Sequence, residues 1–514
     1  MKLCLSLIAT LLLSCVFVSA STKEGTLTLT IDNYNNWGWE ECLIIENGFI
    51  ELVIVPEIGG RVMRYAFPGD QQMAIHPKNI GKKFNPDSDK WGPWSGAWGY
   101  GGFKNWPAPQ SFWNWPPPPH LCWGPYTYNI EHQSADSIVV YLESEVETQL
   151  AKGLQQARRF TVYNNSTIVK LEQYLMNVNA STRDLSIWDI TQTIVQHDSD
   201  KDMENFSVYF STSKSIRYAD QKLNITQLED GIHRYSDTNK SGKTFMNLDA
   251  GWCANVDERD SQSYYKIFDI DPSADHPDQN ANFEIYSAGS NEYIEIEVLS
   301  PLKSLSKGQT MRYDQIWSAA HVNGIHYNAN IAGSVVEKIT VDNEISSISG
   351  SFGIFTSGNI LVKAFDQKSN KSTTIEAGNV NAGDLFELNT TVTDIDHIDS
   401  VAVIARNNSN TEIGVLSHWQ NTSLGIHDQN IENDIVLYPS AVITGQDVTI
   451  NFILPVKQVS VKMLSIDGKI ITISNNNYIE NNQLIFSVPN INKGVYAIQI
   501  DTDKGKYNRR IVVK

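Results

Sequence analysis

The chain has 514 residues and a mass of 57.7 kDa, which is too long for one ordinary hydrophobic core, so two or three domains are expected. Its formal net charge of −18 argues against nucleic acid or an anionic membrane surface as a partner. It contains only five cysteines, too few for a disulfide scaffold. Beyond residue 20 no apolar run approaches the length of a membrane span, so no membrane insertion is expected.

The N-terminus carries the pattern of an export signal. A lysine at position 2 precedes a long apolar run, and the run closes on the small residues Val18-Ser19-Ala20. This predicts a secretory signal peptide over residues 1–20, cleaved before Ser21. Three cysteines then remain, at positions 42, 122 and 253, and they allow one disulfide at most.

Residues 22–335 consist almost entirely of strand patterns. Residues 25–31 alternate with period two, and Asn47-Gly48 between two apolar runs is a strong hairpin signal. Further strands are predicted at residues 138–141, 160–163, 168–176, 206–210, 293–299 and 311–317. No stretch shows sustained helical periodicity. The sequence therefore predicts an all-β chain that opens with a large antiparallel β-sandwich, with its function on long loops.

Residues 91–128, here called the tryptophan segment, stand out within this region. They contain seven of the 13 tryptophans and eight prolines. Since proline fixes φ and lacks an N–H, we predict a long loop rather than a buried strand. Its rings either wedge the loop onto the sandwich or await a flat ligand such as a sugar. We predict a carbohydrate-binding cleft, with these contacts: Trp98, Tyr100, Lys104, Trp113, Trp115 and Trp123.

The charge around this segment differs from the rest of the chain. Residues 56–125 hold seven basic and four acidic side chains, so they carry +3 while the remainder carries −21. A locally basic, aromatic-rich surface suits a sugar that bears carboxylate or sulfate groups. The sequence therefore favours an anionic polysaccharide or oligosaccharide as substrate.

Beyond residue 340 the composition shifts toward Ser, Thr and Asn with short strands. This predicts a second, smaller β-sandwich over residues 340–416. The Asn-, Ser- and Gly-containing stretch 417–434 reads as a linker.

The last part of the chain carries an ordered set of motifs. They are Leu437-Tyr438-Pro439, Ile466-Asp467-Gly468-Lys469, Lys493-Gly494-Val495-Tyr496 and the closing residues 509–514. In this order they resemble the C-terminal sorting domain of the Bacteroidetes type IX secretion system, although Ser440 departs from its usual pattern. The resemblance implies an Ig-like domain over residues 435–514, type IX machinery as a partner, and a secreted or cell-surface location.

The large domain carries a second resemblance. Residues 49–61, FIELVIVPEIGGR, and residues 293–317, with their E-x-E-x-x-S-P motif, are similar to the galactose-mutarotase-like, or aldose epimerase-like, β-sandwich superfamily. The resemblance implies a supersandwich fold. Sugar epimerases, glycoside hydrolases and polysaccharide lyases share that fold, so it does not by itself select a reaction.

The same resemblance implies site residues. In that superfamily a histidine after a central strand contacts the sugar or acts as an acid, and His197 matches it best; Gln192 lies on the strand before it. A glutamate base is implied on the strand of Glu295 and Glu297, which share a face because they are two residues apart. The register leaves open which of the two is the base. The alternative is a solvated face of an edge strand.

Other candidates follow from residue chemistry. Arg61 comes after two glycines, and its planar guanidinium suits a carboxylate or sulfate, the alternative being a salt bridge to a nearby loop. His120 can transfer protons near neutral pH, and Tyr126 carries a hydroxyl that can serve as an acid. Acidic loops at Asp198–Asp202 and Asp269–Asp278 offer oxygen ligands for Ca²⁺, but solvated loops are favoured, so no metal or cofactor is predicted.

These observations favour a secreted polysaccharide lyase, or a related dehydratase, that acts by β-elimination on a uronic-acid polymer such as ulvan or alginate. Arg61 would neutralise the sugar carboxylate, and His120, His197 and Tyr126 would move protons. One alternative is a mutarotase or epimerase that uses Glu295 or Glu297 with His197; another is a non-catalytic glycan-binding protein. We expect the tryptophan segment to overhang the concave sheet face that carries His197 and Glu297.

Overall fold

A computed structural model describes residues 25–89, 99–195, 206–219, 221–236, 239–289, 292–366, 368–369, 371–421, 435–438, 441–452, 459–465, 470–471, 483–502 and 506–514. The chain divides into two compact units, residues 1–420 and 421–514. Strands are numbered below in chain order.

The first unit opens with a broad antiparallel sheet, here called sheet A. Its main path runs β1-β2-β3-β4-β5-β10-β19-β18-β15-β12, with β20 paired to β10. Its strands in the described part of the chain are β1 (Thr28–Asp32), β2 (Cys42–Glu46), β3 (Glu51–Val55), β4 (Arg61–Ala66), β5 (Phe103–Ala108), β10 (Arg183–Thr193), β12 (Arg217–Tyr218), β15 (Ser241–Met246), β18 (Phe283–Ala288), β19 (Ile294–Leu299) and β20 (Lys303–Leu305).

A second antiparallel sheet, sheet B, packs against the first. Its order is β13-β14-β11-β16-β17-β21-β9-β8-β7-β6. The strands that the structure describes in it are β6 (Tyr126–Gln133), β7 (Ser137–Ser144), β8 (Leu154–Tyr163), β9 (Val169–Asn177), β11 (Phe206–Ser211), β13 (Ile225–Gln227), β14 (Ile232–Tyr235), β16 (Trp252–Asp257), β17 (Gln262–Phe268) and β21 (Thr310–Ala320).

Helices are short in the described residues. One α-helical turn, α1, covers Pro119–Cys122, and 3-10 turns occur at Tyr34–Asn36, Pro56–Ile58, Pro77–Asn79, Gln110–Phe112 and Glu229–Gly231. None is long and apolar enough to cross a membrane. The all-β fold class predicted from strand periodicity is confirmed.

The hairpin predicted at Asn47-Gly48 joins β2 and β3. In their pairing Leu43 lies opposite Ile54, and Glu46 lies opposite Glu51. Gly48 has a φ of +79°, a conformation that glycine adopts without steric cost. Alternating residues of this hairpin then point between the sheets, where Phe103 of β5 stands edge-on to Trp317 of β21 at 4.7 Å. Period-two alternation thus builds the core of the sandwich.

The tryptophan segment is not a continuous loop. It contains β5, the turn α1 and the start of β6, so the loop prediction is wrong at Phe103–Ala108. β5 pairs with β4 only at Val62–Phe103, and at Pro107 its paired neighbour is β10. At Pro107 the strand therefore has a paired neighbour on one side only, and a proline, which has no N–H to donate, is tolerated there.

The space between the sheets also holds a buried ion pair. Lys266 of β17 contacts Asp189 of β10, and both side chains are fully buried. The Lys266 ammonium donates a further hydrogen bond to the backbone carbonyl of Ile296 at 3.1 Å. The pair therefore connects sheet B to two adjacent strands of sheet A.

A smaller sandwich completes the first unit, built in the described residues from two four-stranded sheets. One has the order β22-β23-β24-β27 and the other β26-β25-β28-β29. The strands are β22 (Asn328–Asn330), β23 (Gly333–Asp342), β24 (Ser347–Ile354), β25 (Gly358–Asp366), β26 (Lys371–Val380), β27 (Leu385–Thr391), β28 (Ser400–Asn407) and β29 (Glu412–Gln420).

The small sandwich does not begin and end at the residues predicted from the sequence. The predicted gap between residues 335 and 340 falls inside β23, and the predicted linker 417–434 begins inside β29. Residues 422–434 of that linker, and the predicted signal peptide, lie outside the described residues.

The second unit contains a three-stranded and a five-stranded sheet among its described residues, ordered β30-β32-β35 and β31-β37-β36-β33-β34. Val448, Met463, Ile498 and Ile511 lie in its own hydrophobic core. The strands are β30 (Ile435–Tyr438), β31 (Ala441–Val442), β32 (Asp447–Phe452), β33 (Val459–Ser465), β34 (Ile470–Ile471), β35 (Gln483–Ser487), β36 (Gly494–Thr502) and β37 (Lys506–Val513).

The buried ion pair leads to a stability prediction. Asp189→Leu leaves the Lys266 ammonium buried without its partner, so the free energy of unfolding should fall by about 3–5 kcal/mol. The double variant D189L/K266M removes both charges and should recover most of the loss. Urea unfolding of the full chain, followed by tryptophan fluorescence, measures both.

Asp314→Asn is the control, because the Arg312–Asp314 pair is 45% and 40% exposed and should contribute less than about 1 kcal/mol. A D189L protein as stable as the wild type would contradict a structural role for the pair.

Candidate functional site

Strand alternation places a polar and aromatic surface on the outer face of sheet A. Phe103 and Asp189 point toward sheet B, so their neighbours in the sequence point the other way. The outer face carries Lys104 and Trp106 on β5, Trp188 and Gln192 on β10, Glu295 and Glu297 on β19, Glu284 and Tyr286 on β18, and Lys243 and Phe245 on β15.

Antiparallel register aligns these side chains in two rows. One row crosses Lys243, Tyr286, Glu295 and Gln192, and the other crosses Phe245, Glu284, Glu297, Ile190 and Lys104. Because β19 lies between β10 and β18, the glutamates do not belong to an edge strand. The rows bring residues from five strands together.

Five of these residues form what we call the carboxylate cluster: Glu284, Glu295, Glu297, Lys104 and Lys243. The Lys104 ammonium lies 2.9 Å from a Glu295 oxygen, and the Lys243 ammonium lies 2.6 Å from Glu284 and 2.9 Å from Glu297. The cluster thus sets three carboxyl groups against two ammonium groups. One carboxyl group can keep its proton without leaving an ammonium unpaired.

Two neighbours hold the cluster in place. Gln192 donates a hydrogen bond to Glu295 at 2.8 Å, and the Trp188 indole donates one to Glu297 at 2.6 Å. The Lys243 ammonium lies over the Trp188 ring, 4.4 Å from its centre, in cation–π geometry. Each charged member therefore has a fixed position on the face.

Solvent reaches the members of the cluster unequally. The side chains of Glu284 and Glu297 are 0% and 1% exposed, whereas those of Glu295 and Lys243 are 12% and 20% exposed. A ligand entering from solvent would first meet Glu295 and Lys243. Glu284 and Glu297 lie beneath them.

Electrostatics separates the three carboxyl groups. Burial would raise the pKa of Glu295, but the adjacent Lys104 ammonium and the Gln192 hydrogen bond outweigh burial and lower it. Burial raises the pKa of Glu297 and raises that of Glu284 well above its ordinary value, with Lys243 opposing both shifts only in part. Glu295 is therefore the carboxyl group of the cluster that most favours the ionised form, and Glu284 is the group best suited to stay protonated.

Three further rings lie beside Glu295. His76 stands edge-on to Tyr293 at 5.3 Å, and Tyr293 lies 6.4 Å from Tyr286. Burial lowers the pKa of His76, an effect that the Gln192 hydrogen bond opposes and the Lys104 charge reinforces. Its imidazole is therefore neutral at physiological pH and can donate from one nitrogen and accept at the other.

Of the residues predicted from the sequence, Lys104, Gln192, Glu295 and Glu297 come together in this way. Glu284, Lys243, Trp188 and His76 were not predicted as site residues. A usable signal existed for Glu284, since it alternates with apolar residues in β18 as Glu297 does in β19. His76 and Lys243 lie in no comparable pattern.

Arg61 lies inside the fold and not on the outer face. Its guanidinium donates to the carbonyl of Gly101 at 2.9 Å and to the carbonyl and sulfur of Cys122, both at 3.3 Å. The preceding glycines permit this packing, because a Cβ on Gly59 would lie 2.3 Å from the Cys122 carbonyl oxygen. This arrangement gives Arg61 a structural position and corrects its assignment to the sugar carboxylate.

Most of the predicted aromatic contacts are core residues. Tyr100, Trp113 and Trp123 belong to one buried hydrophobic cluster with exposures of 1%, 3% and 4%. The Tyr126 hydroxyl is buried and donates to the carbonyl of Leu121 at 2.8 Å. These rings pack against the protein, which corrects their assignment as ligand contacts.

Trp115 is the exception. It is 47% exposed and stands edge-on to Trp106 at 6.1 Å, and Trp106 stands edge-on to Trp188 at 5.3 Å. Since Trp188 bonds to Glu297, this part of the tryptophan segment borders the face that carries Glu297. The predicted overhang of the face that carries His197 and Glu297 stays a prediction, because His197 lies outside the described residues.

His120 lies in a different environment. It is buried in α1, where its Nε2 lies 3.1 Å from the Thr148 hydroxyl and its Nδ1 lies 3.4 Å from Glu145. Among the described residues no contact joins it to the carboxylate cluster. The prediction that it shares a site with Glu297 therefore has no support in the geometry.

Two predicted site residues, His197 and Trp98, lie outside the described residues, as does the acidic loop Asp198–Asp202. In the part of the chain that is described, no three His, Cys, Asp or Glu side chains form a group able to hold a metal ion. The loop Asp269–Asp278 belongs to that part.

Comparison with solved structures gives distant matches. A TPR-domain containing protein from Parabacteroides distasonis ATCC 8503 matches at 13% identity and a TM-score of 0.39, over 58% of this chain and 54% of that one, so the chain spans about half its length. A galactose mutarotase-like protein from Clostridium acetobutylicum matches at 12% identity and a TM-score of 0.37, over 58% of this chain and 98% of that one. A putative aldose 1-epimerase from Escherichia coli K12 matches at 10% identity and a TM-score of 0.34, over 53% of this chain and 96% of that one.

The predicted resemblance to galactose mutarotase-like proteins is thus found among solved structures. No curated protein matches the chain.

Family models match both units. A secretion system C-terminal sorting domain matches residues 438–514, so the predicted type IX sorting tail is confirmed and marks the chain for export. A second model, described as a domain of unknown function, DUF4380, matches residues 41–320 and so includes every member of the carboxylate cluster. Because that match covers more than half of the sequence, the chain belongs to the DUF4380 family.

Proposed function

We propose that this protein is an exported carbohydrate-active enzyme that transfers protons on a sugar, with Glu295 as the base. The observation that carries the proposal is the state of Glu295: a carboxylate of lowered pKa, held by Lys104 and Gln192, partly open to solvent. A base needs this combination of charge, fixed position and access.

Neighbouring side chains supply the other parts of such a reaction. The N–H of the neutral His76 imidazole can donate a hydrogen bond to one sugar oxygen while Glu295 takes a proton from another. The partly exposed Lys243 ammonium can stabilise negative charge that develops on an oxygen. Glu284 and Glu297 act as positioning residues, because they are buried and contact Lys243.

The surroundings of the cluster suit a sugar. Tyr286 and Tyr293 offer partly exposed rings and hydroxyls beside Glu295, whereas Trp106 and Trp188 on its other side are buried, at 8% and 3% exposure. Sugars present C–H faces to rings and hydroxyls to polar groups, so a mixed surface of this kind matches them. Export by the sorting tail directs the activity to sugars outside the cell.

The reaction best matched to one base and one neutral histidine is reversible ring opening of an aldose. Glu295 would remove the proton of the anomeric hydroxyl as the C1–O5 bond breaks, and that proton would pass through a water molecule to the ring oxygen, to which the His76 N–H donates a hydrogen bond. Reversal on the other face of the carbonyl gives the second anomer. Each proton taken up is returned, so no cofactor is required.

A second candidate is β-elimination on a uronic-acid polymer, in which Glu295 removes the C5 proton, the C4–O bond breaks to leave a C4–C5 double bond, and the departing oxygen takes a proton from water. The Arg183 guanidinium supports it, because it lies exposed 4.1 Å above the Phe112 ring next to the tryptophan segment and can meet an anionic chain. Arg61 and Tyr126 take no part in this version, because both are engaged inside the fold.

Two assays distinguish the candidates. Polarimetry on a panel of free aldoses measures accelerated anomeric interconversion, and ultraviolet absorbance on alginate and ulvan detects the unsaturated uronate left by β-elimination. Activity in the first assay alone supports the aldose reaction, and activity in the second alone supports the lyase. Activity in neither would refute a proton-transfer enzyme.

Glu295→Gln keeps the size and the hydrogen-bonding ability of the side chain but cannot accept a proton. We expect kcat on the active substrate to fall by about 10²–10⁴-fold, with unchanged thermal unfolding. Glu46→Gln, at an exposed glutamate of the same sheet, is the matched control and should keep wild-type activity. Equal activity of E295Q and E46Q would exclude Glu295 as the base.

The pH profile gives an independent check. Activity requires ionised Glu295 and is lost as the pH falls through its lowered pKa. Lys104→Met removes the charge that opposes burial, so the pKa of Glu295 should rise; the pKa of His76 should rise too, since Lys104 lowers it. The acid limb of kcat/KM should therefore move to higher pH.

Lys78→Met, at an exposed lysine, should leave the limb where it is in the wild type. An acid limb that does not move in K104M would show that neither Glu295 nor His76 controls the reaction.

A further inference from the structure

Trp115 differs from its neighbours in the tryptophan segment. It is 47% exposed, whereas Trp113 and Trp123 are 3% and 4% exposed. An indole that is nearly half exposed presents an apolar ring face on which the C–H face of a sugar can stack.

The loop around Trp115 holds the ring in one place. The buried Trp113 indole donates to the Pro107 carbonyl at 2.7 Å, and the Asn114 amide donates to the Gln110 carbonyl at 2.8 Å. On the other side residues 116–119 are four consecutive prolines, which restrict the backbone. A ring on a backbone restricted in this way loses less conformational entropy when a ligand stacks on it than a ring on a flexible loop would.

A short series of contacts connects this ring to the proposed base. Trp115 lies 6.1 Å from Trp106, and the Lys104 ammonium lies 5.0 Å from the centre of the Trp106 ring. The same ammonium lies 2.9 Å from Glu295. Trp115 and Glu295 are therefore connected through the packed side chains of Trp106 and Lys104 on the outer face of sheet A.

We propose that Trp115 is a stacking subsite for a glycan chain, and that it binds one sugar residue of the chain while another residue lies at Glu295. The preferred substrate is then an oligosaccharide or polysaccharide, and for the aldose reaction the residue at Glu295 is its reducing end, the unit that a free aldose represents in the polarimetric assay. The inference rests on the proposed function in taking Glu295 as the reacting end, and it adds the direction in which the chain runs, from Glu295 past Trp106 to Trp115.

Affinity electrophoresis of the full chain tests the subsite. Gels that contain alginate, ulvan, laminarin or xylan should retard the wild-type protein for at least one polymer, and Trp115→Ala should raise the apparent Kd for that polymer by about tenfold. Trp115→Phe keeps a ring and should retain most of the retardation. Tyr163→Ala removes a ring that is 38% exposed on sheet B and should bind as the wild type does.

Glu295→Gln separates this inference from the proposed function, since it should lose turnover and keep retardation. Trp115-dependent retardation without any product would support the subsite and refute the enzyme. Turnover of free aldoses without retardation in any gel would support the enzyme and refute the subsite. Retardation of W115A equal to that of the wild type, or equal losses in W115A and Y163A, would overturn the subsite.

Discussion

The two-sided burial of β10 is the constraint on which the site depends. On one side of this strand Asp189 meets Lys266 between the sheets; on the other, Trp188 and Gln192 hold the glutamates of β19. A shift of one residue in its pairing would place Asp189 on the outer face and Trp188 between the sheets, so both arrangements would fail together. The buried ion pair therefore fixes the register that brings the carboxylate cluster together.

The cluster itself follows from a charge balance. Three buried or half-buried carboxyl groups share two ammonium groups, and the protein separates them by burial and by distance from each lysine. Glu295, next to Lys104, becomes the carboxylate, while Glu284, deepest in the cluster, favours its neutral form. Carboxyl groups with pKa values pushed apart are typical of acid–base sites. Removing either lysine would therefore change the protonation state of the glutamate with which it pairs.

Local pattern predicted much of the fold and part of the site. Period-two alternation and Asn47-Gly48 were sufficient for the strands and the first hairpin, and Glu295 and Glu297 were placed on one face correctly. Glu284 and Lys243 were missed because they meet Glu297 only through the pairing of β15, β18 and β19, which spacing along the chain does not reveal. Arg61 was assigned to the sugar carboxylate for the same reason, because the carbonyls that it contacts lie 40 and 61 residues away along the chain.

The tryptophan segment shows how one composition can serve two purposes. Prolines and indoles were expected to make a ligand-binding loop, and most of them instead cover the core: Trp113 and Trp123 are buried, and Pro107 lies within a strand. Their burial makes the exposure of Trp115 meaningful, because a single ring on a mobile loop would add little to ligand binding. Packing of the segment onto the sandwich thus supplies rigid support beneath Trp115, and it is this support that the proposed stacking subsite requires.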